Sequence, residues 1–187
     1  MAVESFLVAL GTPAPDFALP AVDGALVKSV DLTAPALLVV FLSNHCPYVR
    51  HVEAGLAAFA RDYADSGLAV VGISSNDAGV SPDDDVASLA GQVERTGFTF
   101  PYLIDGDQSV AKAYQAACTP DFFLYGADRR LAYRGAFDGS RPRTDAPVTG
   151  ELLRDAVDRV LRGEEVPEPH RPSAGCSIKW APGNEPA

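Results

Sequence analysis

Cys46 follows the polar turn Ser43-Asn44-His45, and Pro47 follows it directly. Ahead of the turn runs an apolar segment, Ala36-Leu37-Leu38-Val39-Val40-Phe41-Leu42, and beyond it begins a helical pattern. The thiol therefore stands where a strand hands over to a helix. Free N–H groups and the helix dipole favour negative charge at that point. A thiol so placed is expected to ionise readily, and the thiolate is the nucleophile that attacks a disulfide or a peroxide. The contrasting reading is a small buried hydrophobe, a common fate of free cysteine. Pro47 fits the first helical position, where its missing N–H costs nothing.

The neighbours of the thiol carry their own alternatives. Protonated His45 would help to hold the thiolate; otherwise its ring faces solvent or caps the helix. Ser43 can hydrogen-bond the thiolate or a peroxide oxygen, or simply serve as a helix-entry residue. Asn44 and Pro47 complete the turn as candidate substrate contacts. His51, one turn into the helix, reads as a surface residue.

A redox thiol needs a second sulfur, and the chain holds only two others, Cys118 and Cys176, with no CxxC. Cys118 neighbours Thr119-Pro120 and is as readily a core-facing small residue. Cys176 sits in a proline-rich tail beside Gly175, near the apolar anchors Ile178 and Trp180. A Cys46–Cys176 bond would close a loop of about 130 residues, for which the chain-entropy model allows on the order of 5 kcal/mol. Cys176 is the favoured resolving partner, Cys118 the weaker one, and an external thiol the third choice. A metal set drawn from Cys46, Cys176, His45 and His170 has no short-range pair, so neither a metal nor a cofactor is assigned.

The elements that must position these residues follow from periodicity. Residues 17–21 and 26–30 read as short strands about an Asp23-Gly24 turn, and 36–42 as the central strand. From Pro47, the residues Val49, Val52, Leu56, Phe59 and Tyr63 line one helix face that closes at Ser66-Gly67. Residues 68–74 are a second buried strand. A helix over 82–96 is entered through Ser81, with Asp83, Asp84 and Asp85 in its first turn, as the dipole prefers. Strand 100–104, helix 109–117, strands 121–126 and 131–136, and helix 150–162 complete the order, and residues 164–187 form an extended tail. Arg134, Asp138, Arg141 and Arg143 could line a substrate entrance, but read more readily as solvated charges. An α/β fold is expected: one domain over 1–187, with a central mixed sheet flanked by helices on both faces and an N-terminal β extension.

Composition narrows the partners. The chain of 187 residues carries 15 basic and 25 acidic side chains, a formal charge of −10, which disfavours nucleic acid and anionic membranes. No apolar run is long enough to span a bilayer. The first residues lack the basic region of a secretory signal, so a cytoplasmic location is expected.

Three motifs and the opening segment carry a family resemblance. Gly11-Thr12-Pro13-Ala14-Pro15-Asp16-Phe17, with Leu19-Pro20 and Asp23-Gly24, resembles the start of the AhpC/TSA (peroxiredoxin-like, redoxin) branch of the thioredoxin fold. Asn44-His45-Cys46-Pro47-Tyr48-Val49, Thr119-Pro120-Asp121-Phe122-Phe123-Leu124 and Gly175-Cys176-Ser177-Ile178-Lys179-Trp180 resemble a small bacterial subgroup described as thioredoxin-family or peroxiredoxin-like proteins. The resemblance implies a thioredoxin-like fold and a redox thiol at Cys46. It also implies a cis bond before Pro120, with the Thr119 backbone offered to an incoming extended chain. This chain departs from its relatives in two ways. Val49 and Ser43 fill the positions where a nearby second cysteine would stand. The peroxide motif Pro-x-x-x-Thr/Ser-x-x-Cys is half present, with Val39 at the proline and Thr119 where an arginine is often found.

The expected activity is a thiol-dependent oxidoreductase acting on a protein or small-molecule disulfide, or on a peroxide, with an external thiol as reductant. A non-catalytic binding module and a metal-handling protein are the alternatives. The sequence leaves the oligomeric state open.

Overall fold

The apolar run at 36–41 becomes a strand buried on both faces, and the other elements are laid out around it. Residues 2–186 are described by a computed structural model. The first elements are β1 (Ala2–Glu4), β2 (Ala18–Pro20), β3 (Leu26–Lys28) and β4 (Ala36–Phe41), then α1 (Pro47–Asp62) and β5 (Leu68–Ser74). Next come α2 (Val86–Thr96), β6 (Tyr102–Ile104), α3 (Ser109–Tyr114), β7 (Cys118–Thr119), β8 (Asp121–Tyr125) and β9 (Leu131–Gly135). Helix α4 (Glu151–Leu161) and β10 (Ala174–Ser177) close the chain, and 3-10 turns lie at Ser29–Asp31 and Pro82–Asp84.

The central sheet has the order β6-β5-β4-β8-β9. Strands β6, β5 and β4 run parallel, while β8 and β9 pair antiparallel, so the sheet is mixed. Alternating side chains of β4 feed two cores. Leu38 and Val40 meet α1, α2 and α4 through Val49, Val52, Leu56, Leu89, Leu153 and Val157. Leu37, Val39 and Phe41 meet α3 and β2 on the opposite face, where Phe41, Tyr114 and Phe123 pack edge to face. Helices thus cover both faces, as the alternation of strands and helices predicts.

The differences from the sequence reading are local, with one exception. The helix expected over 82–96 divides: Pro82–Asp84 is a 3-10 turn, and α2 starts at Val86 with Asp85 as its cap, accepting from Ser88 N–H at 2.7 Å. Helix α3 stops at Tyr114 because Gln115 turns left-handed, at φ 54°. The larger difference is a second sheet, β1-β10-β7, built from three short antiparallel strands. Part of the tail, expected to be extended and packed on or near the domain, is a strand here. Its continuation is pinned by Ile178, 3% exposed, and by Trp180 against the second core. Polar clasps add to this: Asp77 N–H donates to Lys179 O (2.8 Å), Lys179 N–H to Asn76 Oδ1 (2.8 Å), and Gln108 Nε2 to Lys179 O (2.9 Å).

Two residues expected to be solvated are buried instead. Arg134 bonds His170 Nδ1 at 2.9 Å and Glu168 at 3.2 Å. Asp138, 2% exposed, accepts from the N–H groups of Ser140, Thr149 and Gly150 at 2.8–2.9 Å and so ties the 138–150 loop to the start of α4. Multiple N–H donors favour the carboxylate, and they outweigh burial to hold Asp138 below its usual range.

Candidate active site

Cys46 is the N-cap residue of α1, with extended backbone (φ −68°, ψ 121°), and Pro47 opens the helix. The extended strand and the proline together set this geometry: the chain leaves β4, turns over three residues and enters a helix whose first position tolerates Pro. Cys46 is fully buried. Its S–H donates to Thr119 O at 3.0 Å, and its N–H donates to Ser43 Oγ at 3.3 Å.

The turn is held from below by Asp84, 4% exposed. Its carboxylate accepts from Ser43 Oγ (3.0 Å), Asn44 N (2.5 Å), Asn76 Nδ2 (2.7 Å) and Ser81 Oγ (3.0 Å). His45 Nδ1 lies 2.7 Å from Asp84 Oδ2, so this nitrogen carries a proton and donates it. Burial pushes the Asp84 carboxyl up, but the bonds from Asn76, His45 and Asn44 together prevail and hold it below the ordinary carboxylate value. Asn44 is fixed further by donation to Asp83 O (2.9 Å), while Arg50 Nε (2.8 Å) and Arg95 (3.1 Å) donate to its oxygens.

Ser43 therefore acts in the turn, passing one bond to Asp84 and taking one from the Cys46 amide. His45 directs Nδ1 at Asp84. Sequence reasoning assigned Asp84 to the helix dipole and Ser81 to the helix entry, and passed over Asn76. One signal was present: Asn76 lies two residues past the end of β5, the parallel neighbour of β4, and residues past the carboxyl ends of parallel strands gather at one edge of the sheet.

The other thiols converge from the tail side. The Thr119–Pro120 peptide is cis, as the resemblance implies. Thr119 pairs with Cys176 across the β7–β10 ladder, and Cys118 with Ser177. Cys176 is half-buried and packs against the core cluster that holds Cys46; burial, and next the neighbouring Cys46 thiol, push its own thiol up to about 11. Cys118 is buried, donates to Pro120 O at 3.6 Å, and is pushed far up, chiefly by burial and next by Asp121. Asp121 itself is fully buried, with Oδ2 accepting from Ala117 N–H (3.1 Å) and Oδ1 unpaired. Burial raises its carboxyl to about 8.

Beside Pro120 lies a cleft lined by Tyr48, His51, Phe137, Ser140 and Arg141. His51, half-buried, approaches Ser140 Oγ at 2.9 Å, and Ser140 Oγ donates to Asp138 Oδ1 at 2.5 Å. Arg143 is exposed and lines no part of the cleft. Among the described residues no three His, Cys, Asp or Glu side chains gather as a metal site, and no helix is long and apolar enough to cross a membrane. His170 stacks on Tyr133 at 4.7 Å and bonds Arg134.

Comparison with known proteins agrees with this architecture. The AhpC/TSA family model matches residues 10–134. No curated protein matches the chain. The crystal structure of a hypothetical protein from Sinorhizobium meliloti 1021 is 51% identical, with a TM-score of 0.95 over 96% of this chain and 99% of that one. An uncharacterized conserved protein from Geobacillus kaustophilus is 48% identical, with a TM-score of 0.95 over 98% of each chain. A thiol:disulfide interchange protein of the thioredoxin family from Chlorobium tepidum TLS shares the fold at 20% identity, with a TM-score of 0.64 over 82% of this chain and 98% of that one. The fold is thioredoxin-like, and the family supports a redox function in general terms. By its matched region and by its sheet, the chain belongs to the AhpC/TSA family.

Proposed function

We propose that the protein is a two-cysteine thiol oxidoreductase in which Cys46 attacks the oxidant and Cys176 resolves the product. The register of Cys176 opposite Thr119, whose carbonyl accepts from the Cys46 thiol at 3.0 Å, carries this reading. With a peroxide, the Cys46 thiolate attacks oxygen, an S–O bond forms, the O–O bond breaks, and the departing oxygen takes a proton. Cys176 then attacks the Cys46 sulfur and water leaves, giving the Cys46–Cys176 disulfide. With a disulfide substrate, Cys46 displaces one thiolate, and Cys176 displaces the other by attack on the Cys46 sulfur. Two equivalents of an external thiol return both cysteines to thiols.

The division of roles follows from the surroundings. Cys176, raised to about 11, stays protonated at neutral pH and does not lead the attack. Cys46 sits at a helix N-terminus on a turn held rigid by Asp84 and Ser43, which supports preorganised attack. Cys118 is directed at Pro120 O and is spared a role.

Mass spectrometry after one equivalent of peroxide or of a small disulfide tests this. A Cys46–Cys176 linkage is the expected product. An alkylation rate for Cys46 no faster than that of a free cysteine, with no oxidation by either reagent, would leave a non-catalytic binding module as the reading.

A further inference from the structure

We propose that strand β10 is a specificity element: it holds the polypeptide-binding edge of the active site, so that Cys46 acts on low-molecular-weight oxidants and not on disulfides carried by extended chains. The inference rests on the oxidoreductase reading of Cys46 and Cys176.

An extended peptide binds a sheet edge through main-chain hydrogen bonds, with a side chain aimed into the site. The edge next to Cys46 is β7, and its Thr119 carbonyl receives the Cys46 thiol. Strand β10 already pairs with it antiparallel, Cys176 opposite Thr119 and Ser177 opposite Cys118. Strand β10 thus takes, within the same chain, the place on the β7 edge that an incoming extended chain would have to take.

The fit depends on Gly175. A Cβ there would lie 1.9 Å from Thr119 O and 2.6 Å from its carbonyl carbon, so any side chain forces the two strands apart. Upstream, the tail also passes close over Gly135, where a Cβ would lie 2.7 Å from Arg171 O. The strand is secured at both ends. Ser5 N–H donates to Ser173 O (2.9 Å) and Ser173 N–H to Ser5 Oγ (3.0 Å), while Ile178 is buried and Lys179 is clasped by Asn76, Asp77 and Gln108. Displacing β10 means breaking its ladder to both neighbours, β1 and β7, and exposing Ile178.

The test compares three oxidants on the full chain in single-turnover reactions: hydrogen peroxide, hydroxyethyl disulfide, and insulin as a polypeptide disulfide. The reduced wild-type protein is expected to react with at least one small probe about tenfold or more faster than with insulin, a ratio equivalent to about 1.4 kcal/mol. Gly175→Ala should raise the insulin rate relative to the small probe by a similar factor, and Ile178→Ala, which loosens the same strand from its far end, should do likewise. Hydrogen exchange should show the Cys176 and Ile178 amides protected in the wild type. Insulin reduction as fast as the better small probe, or unprotected amides in β10, would overturn the specificity role while leaving the oxidoreductase reading intact. If both variants fail to fold, the wild-type rate ratio decides alone. Failure of all three probes to oxidise Cys46 would instead remove the oxidoreductase reading itself.

Discussion

His45 Nδ1 lies 2.7 Å from the Asp84 carboxylate, so the residue beside the candidate nucleophile is tied to a buried acid from another element. That carboxylate also takes the Asn44 amide and the Ser43 hydroxyl, and Ser43 takes the Cys46 amide. The orientation of Cys46 is thus set from the 3-10 turn at Pro82–Asp84.

Asp84→Asn keeps the shape and removes the charge, turning one acceptor oxygen into a donor that faces several N–H and O–H donors. The expected cost is about 1–3 kcal/mol of stability by urea unfolding, together with slower alkylation of Cys46. Because Asp84 is held below its ordinary value, the stability it contributes is fully present above the unfolded carboxyl pKa and is lost as pH falls through the folded one. The wild type should therefore lose stability below about pH 4 more steeply than the variant. Parallel acid titrations of the two would cancel the assignment.

Cys176→Ser should halt the reaction after the first attack. A sulfenate or mixed disulfide on Cys46 accumulates, and turnover at millimolar external thiol falls about 100-fold or more, because an intramolecular partner is replaced by a bimolecular one. Cys118→Ser should leave first-turnover kinetics unchanged. Intact-mass spectra and peptide maps distinguish the two; equal effects would reject Cys176 as the resolving thiol.

Asp121 carries the opposite linkage. Its folded pKa is raised to about 8, so the stability associated with its protonated form is fully present below the unfolded value and is lost as pH rises through about 8. Asp121→Asn, a neutral mimic of the protonated acid, should flatten that loss. Melting temperatures between pH 5 and 9 are the readout, with the variant the more stable at the alkaline end by a few kcal/mol. A variant that declines in parallel with the wild type would show that the group titrates normally.

Asp138→Ala should cost about 1–2 kcal/mol, as loss of a helix cap does, because the N–H groups of Thr149 and Gly150 then have no acceptor. Thermal melts give the loss, and a change within error would place those amides in contact with water instead.

Local signals and distant contacts divided the determination of this protein. The continuous apolar run at 36–42, the proline after Cys46 and the three-four spacing of Val49, Val52, Leu56 and Phe59 are short-range patterns. They were enough to place a thiol where a strand meets a helix, and the alternation of further strands and helices was enough for an α/β fold. The partners of that thiol come from far along the chain. Asp84 reads locally as one of three acids favoured by a helix dipole, and burial singles it out only after the 3-10 turn packs under the Ser43–His45 turn. Strands β7 and β10 have two and four residues, too few for a period of two to register. Strand β10 depends on pairing with β1 from the opposite end of the chain and with β7 on its other side, and Gly175 matters only because Thr119 O lies against it. Sequence alone therefore determined that Cys46 stands where a strand hands over to a helix. Tertiary packing decided the surroundings of that thiol, by bringing Asp84 under the Ser43–His45 turn and Cys176 opposite Thr119.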